Sequence, residues 1–244
     1  MTLLVVGASG ATGHLLVQQL LERGEHVRMI VRATARLPKN IKNHANAEII
    51  TASLLDLSDE DLAKHVAGCS AVASCLGHNL SFKGIFGQPR RLVSDATRRL
   101  CAAIKANNPQ TPVKFVLMNS SGVHQENVDA PIWFAQSLVI GLLRALVPPH
   151  VDNEMAAAVL RSDIGQNDPD IEWAIVRPDA LIDADETSPR MLHPSPVRSA
   201  IFNAGKTSRI NVAAFMADLM GDKALWDIWK GQMPMIYNTD SLQD

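Results

Sequence analysis

Cysteine is scarce in this sequence. There are three cysteines in 244 residues, and their positions, 69, 75 and 101, match no zinc-binding spacing. An odd number of cysteines without such a pattern is typical of reduced thiols, so we expect a cytoplasmic protein without a bound metal. The first residues also lack the basic and apolar regions of a signal peptide.

An excess of charge of one sign is missing as well. Lys and Arg number 23 and Asp and Glu number 25, which gives a formal net charge of −2. Nucleic-acid and anionic-membrane partners are therefore not expected, and a small-molecule ligand is favoured. The longest apolar run, over 132–147, is interrupted by Gln136 and Arg144 and is too short to span a bilayer. This segment could pack in the core or against a second subunit, so both a monomer and a homodimer stay open.

Short apolar runs alternate with helical patterns along most of the chain. The runs typical of strands are TLLVVG, HVRMIVR, AEIITASL, SAVASCLG, VKFVLMNSSG and IEWAIVRP. This alternation predicts an α/β protein with a parallel sheet between two layers of helices. We predict a single domain over 1–244 with strand order 3-2-1-4-5-6 and a small cap mainly within 181–244.

A glycine-rich stretch, VVGASGATGHLL, occupies residues 5–16 between the first strand and the first helix. In this G-x-x-G-x-x-G pattern Gly7 permits a tight turn, Gly10 lets the backbone approach a pyrophosphate, and Gly13 lets helix and strand pack closely. The helix N-terminus favours phosphate groups. Such a turn can be merely structural, but its place in the alternation predicts a Rossmann-type, doubly wound dinucleotide-binding domain.

The end of the second strand distinguishes NAD from NADP. An NAD site usually carries Asp or Glu there, to bind the ribose. In this sequence no carboxylate occurs between Glu25 and Glu48, whereas Arg32 and Arg36 follow the strand. Guanidinium groups pair well with a 2′-phosphate, although these arginines could also form a solvated basic loop. The sequence predicts NADP (NADPH) as the cofactor.

These motifs resemble the atypical short-chain dehydrogenase/reductase family with NmrA-like NAD(P)-binding domains, and within it the flavin reductase/biliverdin-IXβ reductase group. The likeness is carried by VVGASGATGHLL, VRATARLP, ASLLDL, AVASCLGHN, KFVLMNSSG and WAIVRP. It extends over nearly the whole chain, but only the glycine and arginine motifs are specific.

The resemblance implies roles for individual residues. The glycine turn would contact the phosphates, the two arginines the 2′-phosphate, and the serines after the fifth strand the nicotinamide. The implied cofactor-binding residues are Gly7, Gly10, Ala11, Thr12, Gly13, Arg32, Arg36, Asp56, Leu57, Leu76, Gly77, Ser120 and Pro178. Ser120 and Ser121 would also orient an acceptor.

The sequence departs from most short-chain dehydrogenases in its acid–base residues. Those enzymes use a Tyr-x-x-x-Lys pair in which the lysine lowers the pKa of the tyrosine. Here the one tyrosine is Tyr237, and no lysine occurs between Lys114 and Lys206. Two functions stay open: an NADPH-dependent reductase of a planar acceptor (a flavin, quinone or linear tetrapyrrole), which the resemblance favours, and a non-catalytic NADP-binding redox sensor.

Two loops, after the fourth and fifth strands, are predicted to form the acceptor pocket, because open α/β sheets bind ligands at the carboxyl ends of their strands. The candidate pocket residues are His78, Phe82, Phe86, His124 and Trp133. The aromatic side chains could equally pack in the core or at an oligomer contact. No imidazole besides His78 and His124 is expected near this edge, and Asn153 is expected to cap the next helix. We expect hydride to reach the acceptor without an essential protein acid.

Overall fold

The computed structural model describes residues 1–32, 37–78, 87–125, 128–129, 147–199 and 203–242. The strands are β1 (Thr2–Val6), β2 (His26–Val31), β3 (Ala47–Thr51), β4 (Ala71–Ser74), β5 (Val113–Met118), β6 (Ile171–Pro178), β7 (Ala180–Ile182), β8 (Arg190–His193), β9 (Lys206–Ser208) and β10 (Met235–Asn238). The helices are α1 (Gly13–Glu22), α2 (Lys39–Lys42), α3 (Asp59–Val66), α4 (Leu92–Ala106), α5 (Pro148–Ala158), α6 (Arg209–Gly221) and α7 (Lys223–Trp229). A π-helical turn over Val159–Ile164 continues α5, and a 3₁₀ turn over Thr239–Leu242 follows β10.

The main sheet has the order β3-β2-β1-β4-β5-β6-β10-β8. Neighbours from β3 to β10 are parallel, and β8 pairs antiparallel with β10 at the edge. In the register of β1, Val5 lies opposite Met29 on one side and Ala73 on the other. The predicted order 3-2-1-4-5-6 is confirmed, and it places β1 and β4 side by side at the point where the winding direction reverses.

Helices cover both faces of the sheet, which explains why its central strands are apolar without alternation. On one face, Leu16 and Val17 of α1 pack in the same cluster as Phe215 and Met216 of α6. On the other face, buried residues of α3, α4 and α5 pack against the opposite sides of the strands. Each face therefore has its own apolar core.

The C-terminal region contributes more to the domain than the predicted small cap. Helix α6 belongs to the main helix layer beside α1, and β10 and β8 extend the sheet. Of the described strands, β7 and β9 alone form a separate two-stranded sheet. Helix α6 is buried on nearly every side, so its sequence lacks the polar face by which an amphipathic helix is recognised.

The sequence correctly predicted the end of α1 and the start of α3, but not the start of α5. Helix α1 ends before Gly24, which has φ +80°, and the Ser58 hydroxyl caps α3 by accepting a bond from the Asp61 N–H at 3.0 Å. Helix α5, however, begins at Pro148. The prediction that Asn153 caps this helix is wrong, because Asn153 lies inside it.

Candidate functional site

The glycine turn joins β1 to α1 in a conformation that two of its glycines require. Gly7 has φ +77°, and a Cβ atom there would lie 2.5 Å from the carbonyl carbon of Cys75. A Cβ on Gly13 would lie 2.1 Å from the Gly7 carbonyl oxygen. Any side chain at either position would displace backbone, so these glycines set the turn and the approach of helix to strand.

Gly10 and the residues after it present backbone N–H groups at the start of α1. The Gly10 N–H donates to the Gly7 carbonyl at 2.9 Å. Within the described part of the chain the N–H groups of Ala11 and Thr12 have no protein acceptor, and the Thr12 side chain makes no capping bond. The positive end of the helix dipole adds to their attraction for an anion. This turn therefore fits a phosphate group.

A cleft of about 470 Å³ extends from the glycine turn across the carboxyl ends of β2 and β4. Six of the predicted cofactor residues line it: Gly7, Gly10, Arg32, Asp56, Leu76 and Gly77. Other lining residues were not predicted, because their apolar or amide side chains belong to no recognisable motif; among them are Ile30, Leu54, Leu55, Gln88, Pro89 and Leu92. The volume is in the range of small-ligand sites. Its apolar walls, exposed arginine and phosphate-binding turn fit the adenosine end of a dinucleotide.

Three further predicted cofactor residues are absent from the lining of this cleft. Leu57 packs against the core on the α3 and α4 face, and its carbonyl accepts a bond from Arg99, so its side chain does not line the cleft. Pro178 ends β6, where its carbonyl accepts a bond from the Ser121 N–H at 3.0 Å. Arg36 lies outside the described residues.

The ends of β5 and β6 bring a serine and a carboxylate together. The Ser121 hydroxyl donates to Asp179 Oδ1 at 3.1 Å, and the Gly205 N–H donates to Asp179 Oδ2 at 2.9 Å. Burial raises the pKa of the Asp179 carboxyl above its ordinary value, although these bonds and one from the Ala180 N–H oppose the shift. The Ser121 hydroxyl thus donates its proton to Asp179. The Ser120 oxygen instead accepts a bond from the Gly122 N–H.

His78 belongs to a buried polar junction and not to the wall of the described cleft. Its Nε2 atom lies 2.8 Å from Asp152 Oδ2, and the two side chains are 6% and 0% exposed. Asp152 also accepts bonds from the N–H groups of Val93 and Ser94 and from the Ser94 hydroxyl at 2.7, 3.0 and 2.6 Å. Burial opposes ionisation, but these bonds prevail and hold the pKa of Asp152 below its ordinary value.

His124 lies beside a buried ion pair. Its Nδ1 atom is 3.6 Å from Asp129 Oδ2, which Arg177 contacts at 2.5 Å. Arg177 is fully buried and also donates to three carbonyl groups, so the pair joins β6 to two loops. The predicted pocket residues Phe82, Phe86 and Trp133 lie outside the described residues.

His150 also lies at this edge, and it was not predicted from the sequence. It is in the first turn of α5, and its ring rests against Gly122, next to Ser120. The expectation that His78 and His124 are the only imidazoles here is therefore wrong. The signal that could have shown it is Pro148-Pro149, since proline is favoured in the first turn of a helix.

Tyr237 cannot replace the missing catalytic tyrosine. It is fully buried in β10, and its hydroxyl oxygen accepts a bond from the Val197 N–H at 3.3 Å. Burial raises the pKa of its phenol. Among the described residues no group of His, Cys, Asp and Glu could hold a metal ion, and within the same ranges no helix is long and apolar enough to cross a bilayer.

Comparison with known sequences finds one family that covers most of the chain. A family model described as NAD(P)H-binding matches residues 7–223. A candidate dihydroflavonol 4-reductase from Synechocystis sp. is 36% identical over 74 residues, which are 30% of this chain and 20% of that protein. That similarity therefore spans only one-fifth of the relative's length.

Solved structures resemble the whole chain. A short-chain dehydrogenase/reductase from Veillonella parvula DSM 2008, in complex with NADP, has a TM-score of 0.70 and 15% identity, covering 98% of this chain and 95% of that one. A candidate NADH-flavin reductase from Streptococcus pneumoniae TIGR4 has a TM-score of 0.65 and 18% identity, covering 98% and 100%. The anaerobillin reductase ChuY from Escherichia coli O157:H7 has a TM-score of 0.67 and 19% identity, covering 98% of each chain. At these identities the likeness shows the fold alone.

Proposed function

Since the chain belongs to the family described as NAD(P)H-binding, we propose that it is an NADPH-dependent reductase of a planar acceptor, such as a flavin, a quinone or a linear tetrapyrrole. The observation that carries this proposal is the cleft in which the glycine turn, Arg32 and the Leu76–Gly77 segment meet. When bound, the reduced nicotinamide supplies a hydride.

The choice of NADPH depends on Arg32. Its exposed side chain follows β2 and lines the cleft, where a guanidinium can pair with a 2′-phosphate. The backbone N–H groups of Ala11 and Thr12 would hold the pyrophosphate, with Gly10 leaving room for it. These residues bind the cofactor at its phosphates and leave the nicotinamide end to the loops after β5 and β6.

The choice of acceptor depends on which acid–base groups the chain provides. The Tyr-x-x-x-Lys pair is missing and Tyr237 is buried, so the chain lacks the usual means of protonating a simple carbonyl. A conjugated, electrophilic acceptor places lower demands on the protein, which mainly has to hold it against the nicotinamide. The Ser120 hydroxyl, whose oxygen already accepts the Gly122 N–H, has its own proton to donate in orienting such an acceptor.

The test is a steady-state screen of NADPH oxidation with FMN, menadione and biliverdin as acceptors. We expect turnover with at least one of them. Tight NADPH binding without turnover of any acceptor would contradict the proposal and favour a non-catalytic NADP-binding sensor.

The cofactor assignment has its own test. Charge-assisted hydrogen bonds contribute about 1.5–3 kcal/mol each, so Arg32→Ala should weaken NADPH binding by roughly 10–100-fold. NADH binding should hardly change, because NADH lacks the 2′-phosphate. Arg98→Ala is the matched control, since Arg98 is a surface residue of α4 paired with Asp95. Equal losses for the two cofactors in Arg32→Ala would show that Arg32 does not bind the 2′-phosphate.

A further inference from the structure

We infer that Asp152 is a positioning residue for the cofactor, because its carboxylate holds the wall of the cleft on the β4 side. This wall would contact the dinucleotide beyond its pyrophosphate. The inference rests on the proposed cofactor, NADPH, and does not depend on the choice of acceptor. It assigns a part in cofactor binding to a buried carboxylate that the proposed reaction does not use.

Two segments form this wall. Leu76 and Gly77 follow β4, and Leu92 is the first residue of α4. Among the described residues, no atom beyond the chain neighbours would lie within 4 Å of a Cβ atom on Gly77, so the backbone there borders open space. Since β1 lies between β2 and β4, the wall and Arg32 lie on opposite sides of the glycine turn. A dinucleotide whose 2′-phosphate pairs with Arg32 would therefore place its nicotinamide half against this wall.

One carboxylate, that of Asp152 in α5, is bound to both segments. Its Oδ2 atom lies 2.8 Å from Nε2 of His78, the residue that follows Gly77. The Val93 N–H donates to Oδ2 at 2.7 Å, and the N–H and hydroxyl of Ser94 donate to Oδ1 at 3.0 and 2.6 Å. These two residues directly follow the first residue of α4. Each segment is thus held beside the residue with which it lines the cleft.

Helix α4 has no cap of its own. Its N-cap residue, Arg91, makes no side-chain capping bond, and the carboxylate from α5 takes up N–H groups of the first turn instead. At the start of α1, in contrast, the N–H groups of Ala11 and Thr12 have no acceptor within the described ranges. The phosphates of the cofactor are therefore left to α1, and α4 offers the cofactor the apolar side chain of Leu92.

Asp152 is itself held in a fixed position. It is 1% exposed, and the carbonyl of the next residue, Asn153, accepts a bond at 3.0 Å from the side chain of Asn119, which follows β5. Helix α5 is thereby tied to the sheet beside the carboxylate. Removing the charge would release two segments of the wall at once, so its effect should reach the bound cofactor as well as the stability of the fold.

Two ligands distinguish the two ends of the cleft. NADPH would span it, whereas adenosine 2′,5′-bisphosphate carries the adenosine and the 2′-phosphate without the nicotinamide half. Asp152→Asn should weaken NADPH binding by about tenfold, because the wall is no longer held in place before binding. Binding of the bisphosphate should stay within about twofold, with both dissociation constants measured by isothermal titration calorimetry. A general loss of folded protein would weaken both ligands equally and leave the ratio of the two constants unchanged.

Asp168 provides a matched control. Its side chain is 7% exposed, it pairs with Lys105 at 2.5 Å, and it accepts bonds from the N–H groups of Asp170 and Ile171, each at 3.1 Å. It precedes β6, at the edge of the sheet opposite the cleft. Asp168→Asn should therefore leave the ratio of the two dissociation constants unchanged. Arg32→Ala should weaken both ligands, because both carry the 2′-phosphate.

Ser94→Ala tests the same wall if Asp152→Asn does not fold. It keeps the carboxylate, removes one of its bonds, and should change the ratio in the same direction by about threefold. An unchanged ratio in folded Asp152→Asn protein, or in Ser94→Ala protein where the first variant does not fold, would overturn the inference. So would an equal change of the ratio in Asp168→Asn.

The readout is binding, so this inference and the proposed function fail in different ways. If the unaltered protein binds NADPH but the ratio does not respond to Asp152→Asn, the proposed cofactor stands and the role of Asp152 does not. If the unaltered protein binds neither ligand, the proposed cofactor fails and this inference fails with it.

Discussion

Asp152 joins two helices, α4 and α5, whereas Asp179 joins the end of β6 to the residue before β9. Both carboxylates are buried, 1% and 7% exposed, and both accept several hydrogen bonds. Their pKa values nevertheless shift in opposite directions, lowered for Asp152 and raised for Asp179.

The difference lies in what surrounds each carboxylate. Asp152 receives bonds from the first N–H groups of the 15-residue helix α4, from a serine hydroxyl and from the His78 imidazole. The helix N-terminus adds a positive potential. Among the described residues, the bonds to Asp179 come from the Ser121 hydroxyl and the N–H groups of Gly205 and Ala180, none of them at a helix start. Arg198 lowers the pKa of Asp179 only as the smallest of the effects. Similar burial can therefore favour the ionised carboxylate at Asp152 and disfavour it at Asp179.

The largest effect should come from removing the Asp152 carboxylate. Asp152→Ala leaves an imidazole, a hydroxyl and two N–H groups without their buried acceptor, so we expect the free energy of unfolding to fall by about 3–5 kcal/mol. Urea denaturation measures this loss. Asp163→Ala, a change of an exposed aspartate in the π-helical turn, should cost less than about 0.5 kcal/mol. A loss below about 1 kcal/mol for Asp152→Ala would show that the junction does not depend on the carboxylate.

The pH dependence of stability should have opposite signs for the two residues. The folded pKa of Asp152 lies below 3.8, so its contribution is present above pH 3.8 and is lost as the pH falls through the folded value. The folded pKa of Asp179 lies above 3.8, so its contribution is present below pH 3.8 and is lost as the pH rises through the folded value. Unfolding of the unaltered protein, Asp152→Asn and Asp179→Asn from pH 7 to pH 3 checks both signs. If the free energy of unfolding depends on pH in the same way in the two variants, the predicted opposite signs are wrong.

Replacing the carboxylate with a neutral amide should destabilise the fold far less at Asp179 than at Asp152. Asp179→Asn retains an oxygen that can accept from the Ser121 hydroxyl or the Gly205 N–H, and it removes a buried charge. We expect a change in the free energy of unfolding of about 1 kcal/mol or less at pH 7. The comparison variant is Asp152→Asn, which places an NH₂ donor among the donors that bind Asp152. An equal loss of unfolding free energy in both variants would contradict the expectation.

The smallest effect should come from Tyr237→Phe, a change next to the Asp179 junction. The Tyr237 ring packs against Gly205, and its hydroxyl makes one long bond to the Val197 N–H. We expect a loss of about 1 kcal/mol or less and a kcat within about twofold of the unaltered protein, because a tenfold loss would require about 1.4 kcal/mol of transition-state stabilisation. A loss of kcat above tenfold, measured with the acceptor found in the screen, would place the phenol in the reaction.

The dinucleotide-binding half could be predicted because its signals are local. Gly7, Gly10 and Gly13 act within one turn, and strand order follows from the alternation of apolar runs with helices. The C-terminal strands and α6 could not be placed in the same way. A helix that is apolar on all sides shows no period, and β10 pairs with β6 from more than 50 residues further along the chain.

The polar contacts after β4, β5 and β6 could not be predicted from the sequence. His78 meets Asp152 from 74 residues away, and Ser121 meets Asp179 from 58 residues away. No spacing rule connects such pairs. His150 was missed for a different reason, since the apolar pattern before it obscured a helix start that two prolines mark.

The packing of α6 on α1 has a consequence for synthesis. Helix α1 ends at Glu22, and α6, the helix that covers it, begins only at Arg209, so α1 is synthesised well before its partner. Gln19 of α1 and Arg23, which follows the helix, have hydrogen-bond partners at Ile210 and Asp218 of α6. Leu16 and Val17 have apolar partners in the same helix. A nascent chain that stops before residue 209 exposes this apolar stripe to water and to other chains. Until α6 has been made, the part of the sequence easiest to recognise is therefore also a surface prone to aggregate.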